Sequence, residues 1–308
     1  MSKTQGVANV LKQTFQEFSE DESTVLAASL AYYMVFSLPP LLFLVILLAG
    51  SLFGEEAVQG RISDEISALI GPGAAEQVET MIQHASERAS GGGWGLVLGL
   101  GALAFAATGV FVQLQSALNR AWGVKPDPNQ GGVKSFLSKR LVSLGMILAI
   151  VFLMLVSLVL SAIVTAAGDS ILQVFPDALS ATALQALNLG VSIVLFTLLF
   201  AAIYQIMPDA DVAWRDVWVG AAVTALLFSI GKFAISLYLG SSNPGDMYGA
   251  AGALAVIMLW IYYASIILLL GAEFTQVWAR RYGSRIRPSQ GAVRVLREER
   301  TIQGSAKA

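Results

Sequence analysis

Residues 24–53 read TVLAASLAYYMVFSLPPLLFLVILLAGSLF and contain no Lys, Arg, Asp or Glu. About 20 apolar residues in an α-helix cross the hydrocarbon core of a bilayer, which is about 30 Å thick. This stretch is therefore long and apolar enough to predict a transmembrane helix.

Five further runs are similarly apolar, and each carries at most one charged residue: 94–118, 141–167, 184–207, 217–240 and 250–277. They lack the two-residue alternation of barrel strands, and lipid cannot satisfy an open sheet edge, so each run predicts a helix. The sequence thus predicts an all-α, polytopic membrane protein with a six-transmembrane-helix bundle.

The composition excludes several classes of protein. Charged residues make up 13% of the chain, against about 25% in an ordinary soluble domain. The absence of cysteine excludes disulfides, a thiolate nucleophile and cysteine-ligated zinc, and the single histidine, His84, excludes a histidine metal cage. A net charge of -2 gives no overall basic field for nucleic acid. We therefore predict no catalytic residue, cofactor, metal or nucleic-acid partner.

Lys and Arg are distributed unevenly between the two sides of the predicted bundle. The two tails and the second and fourth loops carry 16 of them, whereas the other loops carry 2, Arg61 and Arg88. Cytoplasmic loops hold the excess of Lys and Arg, so both termini are predicted to be cytoplasmic. Residues 1–23 are charged and have no separate apolar core, so we expect no cleavable signal peptide.

Three segments lie outside the predicted spans. Residues 7–20 have apolar side chains at helical spacing, which predicts an amphipathic helix on the inner membrane surface. Residues 55–90 are acidic and contain two apolar stripes separated by Gly71-Pro72-Gly73, which predicts an amphipathic helical hairpin on the outer face. Residues 284–308 predict a basic, partly disordered cytoplasmic tail that follows a membrane domain of residues 1–283.

The first span contains the proline pair Pro39 and Pro40, which removes two backbone donors and predicts a kink or break near Ser37. Broken helices line substrate cavities in many transporters, where Tyr32, Tyr33 and Ser37 would supply polar groups. A kink that serves only helix packing is the alternative.

Lys232 lies in the fifth run, about 15 residues or 22 Å from its cytoplasmic end and slightly past the membrane centre. A central lysine costs about 2.5 to 3.5 kcal/mol on insertion scales and is commonly offset by a partner or a wet cavity. We predict that Lys232 faces a cavity in the bundle interior, where it could meet an anion. Its candidate neighbours are Tyr32, Tyr33, Ser37, Tyr238 and Tyr248. Snorkelling of the side chain to the outer interface is the alternative.

Glu273 is the other charged residue inside the predicted spans. A pair with Lys232 would have to bridge about 15 Å of depth, so we expect no such pair and a structural role for Glu273 at the inner interface. The basic residues of the inner loops, among them Arg120 and Lys125, predict contact with anionic lipid.

These residues together resemble the YihY/BrkB family of bacterial inner-membrane proteins, some of which were once labelled ribonuclease BN. The matching elements, in chain order, are Leu30-Ala31-Tyr32-Tyr33, Phe36-Ser37-Leu38-Pro39-Pro40, Asn119, Trp122, Ile203-Tyr204, Pro208, Gly220, Lys232, Tyr238, Tyr248-Gly249, Trp260 and Gly271-Ala272-Glu273. Gln205 and Asp209 depart from the family pattern, in which a basic residue and an asparagine are expected. This departure argues against a polar role for the loop that contains Asp209.

The resemblance implies a six-span protein of the bacterial inner membrane that transports or handles envelope lipids, with Asn119, Trp122 and Glu273 as polar residues at the inner interface. Our first hypothesis is a transporter of an amphipathic anion such as an envelope lipid. The second is a non-transporting scaffold that recruits an envelope protein or forms a homo-oligomer. A nuclease is disfavoured because Asp209, Asp211 and Asp216 form no recognisable two-metal motif.

Overall fold

The computed structural model describes residues 3–70, 72–89, 101–102, 105–128, 141–143, 145–149, 152–153, 156, 178–242 and 250–295. Its helices are α1 (Lys3–Glu20), α2 (Ser23–Phe53), α3 (Glu55–Ile70), α4 (Pro72–Ala89), α5 (Gly109–Ala121), α6 (Ala178–Ile206), α7 (Trp214–Ser242) and α8 (Ala250–Tyr282). The strands are β1 (Val124–Pro126), β2 (Ala210–Asp211), β3 (Arg287–Pro288) and β4 (Ala292–Arg294).

Four of the described helices are long and apolar enough to cross a membrane, namely α2, α6, α7 and α8. Their apolar segments are Ser23–Leu47, Leu189–Ile206, Trp214–Ile235 and Gly252–Tyr282, which match the first, fourth, fifth and sixth predicted spans. Much of the second and third predicted spans, 94–118 and 141–167, lies outside the described residues. The helical membrane fold is therefore confirmed, and the total of six spans stays a prediction.

Helix α2 is continuous through Pro39 and Pro40, so the first span is not broken there, and a kink near Ser37 stays a prediction. The prolines remove only two donors from a helix of 31 residues, and the rest of its backbone ladder keeps the helical path. Ser37 is buried, and its hydroxyl donates to the carbonyl of Ala106 at 2.9 Å. The polar group beside the proline pair thus joins α2 to the segment that leads into α5.

The bundle is built around α8, which packs on α2, α7 and α1, while α6 packs mainly on α7. The contact between α7 and α8 is close because small residues oppose polar ones. A Cβ on Gly220 would collide with Thr275, and one on Gly271 would collide with the hydroxyls of Thr224 and Tyr204. Small residues let membrane helices approach closely in this way.

The N-terminal helix α1 packs against the C-terminal part of α8. Val10 forms a small buried cluster with Phe274 and Val277. Arg280 donates two hydrogen bonds to the carboxylate of Glu17, at 2.9 and 3.0 Å. An amphipathic N-terminal helix therefore exists, and its placement on the inner membrane surface stays a prediction.

Helices α3 and α4 cover most of residues 55–90 and pack on each other and on α2. Val58, Ile62, Val78 and Ile82 are buried between them and the core. Gln59 on α3 donates to Glu79 on α4 at 3.0 Å. The position of this pair of helices on the outer face stays a prediction.

Two small antiparallel sheets close one end of the bundle. Strand β1 pairs with β4, and β2 pairs with β3. Part of the basic tail is thus ordered into strands, because residues 287–294 find partners in the turns that follow α5 and α6. Residues 296–308 of that tail lie outside the described residues. We call this end, with β1 to β4 and the turns beside them, the capped end.

Candidate functional site at the capped end of the bundle

The capped end is centred on Asp209, in the turn between α6 and β2. Gln115 and Asn119 lie one helical turn apart on α5, and their side chains donate to the two carboxylate oxygens of Asp209 at 3.1 and 2.8 Å. The amide of Asp209 donates in return to the side-chain oxygen of Asn119 at 2.8 Å. This mutual pairing fixes α5 to the turn that follows α6.

The C-terminal segment, residues 283–295, is hydrogen-bonded to the turns that follow α5 and α6. The amide of Ser289 donates to the carbonyl of Asp209 at 3.1 Å, and the amide of Val295 donates to the carbonyl of Gly123 at 2.8 Å. Gly123 follows α5 with a φ of +60°, a conformation that glycine adopts without a Cβ clash. The segment from β3 to β4 therefore ties the ends of α5 and α6 together.

Beneath the cap lies a buried polar layer that joins α5, α6, α7 and α8. The indole N–H of Trp122 donates to the carbonyl of Ala272 at 3.2 Å, and the hydroxyl of Tyr204 donates to the carbonyl of Leu268 at 2.7 Å. The Tyr204 hydroxyl also lies 3.0 Å from that of Thr224. Glu273, beside Ala272, is fully buried in protein. The hydrogen bonds of Trp122 and Tyr204 join these helices.

An open cavity of about 510 Å³ lies at the rim of the cap. Its walls come from α5, β1 and the end of the C-terminal segment, and include Gln115, Ser116, Asn119, Arg120, Lys125 and Val295. Arg120 donates to the carboxylate of Glu22 at 2.9 Å through one terminal nitrogen. Its Nε is buried and has no hydrogen-bond partner among the described residues.

Lys232 lies at a different level of the bundle, on α7. It is partly buried, between the exposed side chains of Ile230 and Phe233 and next to Gly231, which is buried against Tyr263. Within the described residues, no hydrogen bond or ion pair involves Lys232. Lys232 therefore lies at the edge between the packed face and the exposed face of α7.

The structure describes three of the five proposed neighbours of Lys232 in full. Tyr32 and Tyr33 are 57% and 44% exposed on α2 and do not pack in the bundle interior, because the packed face of α2 carries Leu30 and Ala31 instead. Ser37, described above, is engaged with Ala106. For Tyr238 the side chain, and for Tyr248 the whole residue, lies outside the described residues.

Sequence reasoning missed the role of Asp209. It treated the departure from the family pattern as evidence against a polar role, whereas Asp209 is the acceptor at the centre of the cap. The available signal was the spacing of Gln115 and Asn119, which places two amide side chains on one face of a helix. Only the fold shows that Asp209 lies opposite that face.

Comparison with known proteins identifies the family of this chain. The family model described as Virulence factor BrkB matches residues 14–295, a range that ends just after β4. The chain belongs to the BrkB family. The matched range includes the strands of the cap as well as the membrane helices, so the cap is part of the family's own region. The resemblance to the YihY/BrkB family is confirmed.

Curated relatives of this BrkB-family chain are described mainly as membrane proteins. A UPF0761 membrane protein of Cronobacter sakazakii is 29% identical over 276 residues, with 86% of each chain covered. The ribonuclease-like protein YfkH of Bacillus subtilis is 28% identical over 278 residues, which cover 88% of this chain and 95% of that protein. A UPF0761 membrane protein of Verminephrobacter eiseniae is 28% identical, and the match spans only 60% of its length. No solved structure gives a significant match.

Proposed function

We propose that this integral membrane protein of the BrkB family binds and moves an amphipathic anion, an anionic membrane lipid, and that it is not an enzyme. The observation that carries the proposal is Lys232, the one charged residue of the run 217–240, half-buried beside exposed apolar side chains. A lipid offers an anionic headgroup to the ammonium group and acyl chains to the apolar surface beside it.

The depth of Lys232 supports a role in moving a headgroup away from the membrane surface. Trp214 and Trp218 are exposed, with ring centroids 6.4 Å apart, and exposed tryptophans concentrate at membrane interfaces. Lys232 follows Trp218 by 14 residues, or about 21 Å along the helix. A headgroup that enters from the tryptophan side must therefore cross most of the hydrocarbon core before it meets Lys232.

The charge count adds the orientation to this proposal, and the resemblance to inner-membrane proteins adds the location. We place the protein in the bacterial inner membrane with both termini, and therefore the capped end, on the cytoplasmic side. On that assignment Lys232 lies in the outer half of the membrane. The alternative function is a membrane scaffold in which Lys232 only snorkels to the outer interface.

The test is lipid movement in vesicles that contain the purified full chain. We expect fluorescent phosphatidylglycerol to exchange between leaflets, and Lys232→Met to reduce this rate at least tenfold because it deletes the charge and keeps much of the side-chain volume. Lys232→Arg should retain most of the rate. Lys12→Met, which removes an exposed cation from α1, is the matched control and should leave the rate unchanged.

Wild-type protein that moves no anionic lipid across a broad panel would contradict transport and leave the scaffold. Equal rates for the wild type and Lys232→Met would remove Lys232 from the mechanism. Thermal unfolding of each variant in detergent separates loss of function from loss of fold.

A further inference from the structure

The cavity at the capped end is a second polar site, distinct from Lys232. Trp122, which ends α5 next to the cavity, contacts α8 at Ala272, whereas Gly231 contacts α8 at Tyr263. These two positions on α8 are nine residues apart, or about 14 Å along the helix. A ligand in the cavity would therefore not touch Lys232.

The cavity wall carries two cationic side chains, Arg120 and Lys125. The Nε of Arg120 is buried without a partner among the described residues, and Glu22 binds a different nitrogen of the same guanidinium. Lys125 is exposed at the rim, and Ser116 adds a hydroxyl. The Nε has almost no accessible surface, so a ligand in the open cavity would meet the exposed part of the Arg120 side chain, which is 39% accessible.

The carboxylates near the cavity are already engaged. Asp209 accepts from Gln115 and Asn119, and Glu22 accepts from Arg120. Two cationic side chains, Arg120 and Lys125, thus line the cavity, and the nearby acidic groups are held by other donors. A guanidinium beside an ammonium favours an oxyanion, and guanidinium groups match phosphate oxygens in geometry.

We propose that this cavity binds a phosphate ester through Arg120 and Lys125. Its volume of about 510 Å³ falls in the range of pockets for organic ligands and exceeds what a bare phosphate fills. The organic part of the ester lies against Val112, Pro126 and Val295, the apolar part of the wall. A lipid headgroup and a soluble phosphate ester share this chemistry.

The experiment measures binding to the full chain with two kinds of probe. Glycerol 3-phosphate is titrated into detergent-purified protein by calorimetry. Phosphatidylglycerol is presented in nanodiscs, with phosphatidylcholine nanodiscs for comparison, and bound lipid is counted by native mass spectrometry. Binding of either probe that weakens with salt supports the proposal. Glycerol 3-phosphate binding assigns a soluble ester, and binding of phosphatidylglycerol alone assigns a lipid headgroup.

Variants locate the binding. Lys125→Gln changes an exposed side chain and should weaken binding about tenfold, the loss expected for one charge-assisted contact. Arg120→Gln should weaken it further but also removes the contact with Glu22, so its fold is checked by thermal unfolding. Arg215→Gln, an exposed cation at the start of α7 that does not line the cavity, is the matched control.

Two outcomes would overturn the proposal: neither probe binds the wild type, or Lys125→Gln and Arg120→Gln bind as tightly as Arg215→Gln. The variant Lys232→Met separates the outcome of this test from the outcome of the transport test. We expect that variant to bind glycerol 3-phosphate like the wild type even where lipid binding at Lys232 and lipid movement are lost.

Discussion

At the residue scale, Asp209 connects α5 to the C-terminal segment at the capped end. Its carboxylate accepts from two amide side chains of α5, its amide donates to Asn119, and its carbonyl accepts from Ser289 in the C-terminal segment. The carboxylate and the amide thus hold α5, and the carbonyl holds the C-terminal segment. Hydrogen bonds to a charged acceptor are stronger than those between neutral groups, so the carboxylate is the main contributor.

We predict that Asp209→Asn destabilises the protein by about 1–3 kcal/mol, because an amide NH₂ then faces the donors of Gln115 and Asn119. The measurement is thermal or denaturant unfolding of the detergent-purified chain. Asp211→Asn, two residues away at an exposed position in β2, is the control and should stay within about 0.5 kcal/mol of the wild type. Equal unfolding of the two variants would contradict the role given to Asp209.

At the element scale, α7 and α8 pair in antiparallel register through opposed small and polar residues. Gly220 lies against Thr275, Gly271 against Thr224, and Gly231 against Tyr263. The two threonine hydroxyls donate to carbonyls of their own helices at 2.8 and 2.7 Å, so no donor is left open at the contact. Close packing replaces the hydrophobic effect as the force that joins helices in lipid.

We predict that Gly220→Ala costs about 1–3 kcal/mol of stability, because the new methyl group collides with Thr275 and pushes the helices apart. Gly190→Ala on α6 is the control, since its Cβ meets no atom within 4 Å. Thr275→Ala removes the nearest atom of the collision. The double variant should therefore lose less stability than the sum of the losses in the two single variants. Strictly additive losses would argue against the contact.

At the scale of the whole molecule, the C-terminal segment acts as a strap across the ends of α5 and α6. It forms β3 and β4, and its backbone bonds to both turns. Val295 of the same segment lines the cavity. The strap therefore links the integrity of the cap to the shape of the cavity.

We predict that a chain ending at Gly283 exposes the turns after α5 and α6 and becomes sensitive to proteolysis there, because both sheets lose their partner strands. A chain ending at Val295 keeps all four strands and is the matched control. Limited proteolysis in detergent, followed by mass spectrometry of the fragments, compares the two. Identical cleavage patterns would show that the strap does not protect the turns.

The orientation of the whole molecule is a separate prediction, based on the 16-to-2 distribution of Lys and Arg. The chain has no cysteine, so single cysteines can be introduced without background. A cysteine at Lys125 should react with a membrane-impermeant reagent only from the cytoplasmic side, and one at Glu76 only from outside. Labelling at position 125 from outside would reverse the assignment.

Composition and local sequence are enough to identify the class of the protein and several of its spans. Long uncharged runs such as residues 24–53 specify membrane helices, because lipid offers the backbone no partner and only internal hydrogen bonding satisfies it. The motifs of the family are short stretches of sequence, so they can be recognised without a structure. These features depend on near neighbours in the chain.

Which polar residues meet depends on the folded arrangement of the helices. Gln115, Asp209 and Ser289 are far apart in sequence, and Arg120 meets Glu22 across 98 positions. Tyr32 and Tyr33 were expected in the interior but lie on an exposed face of α2, because the rotation of a helix depends on its partners. The apolar pattern of a membrane helix is nearly uniform around its circumference. It therefore indicates that the helix crosses the membrane, whereas packing against other helices determines which face points inward.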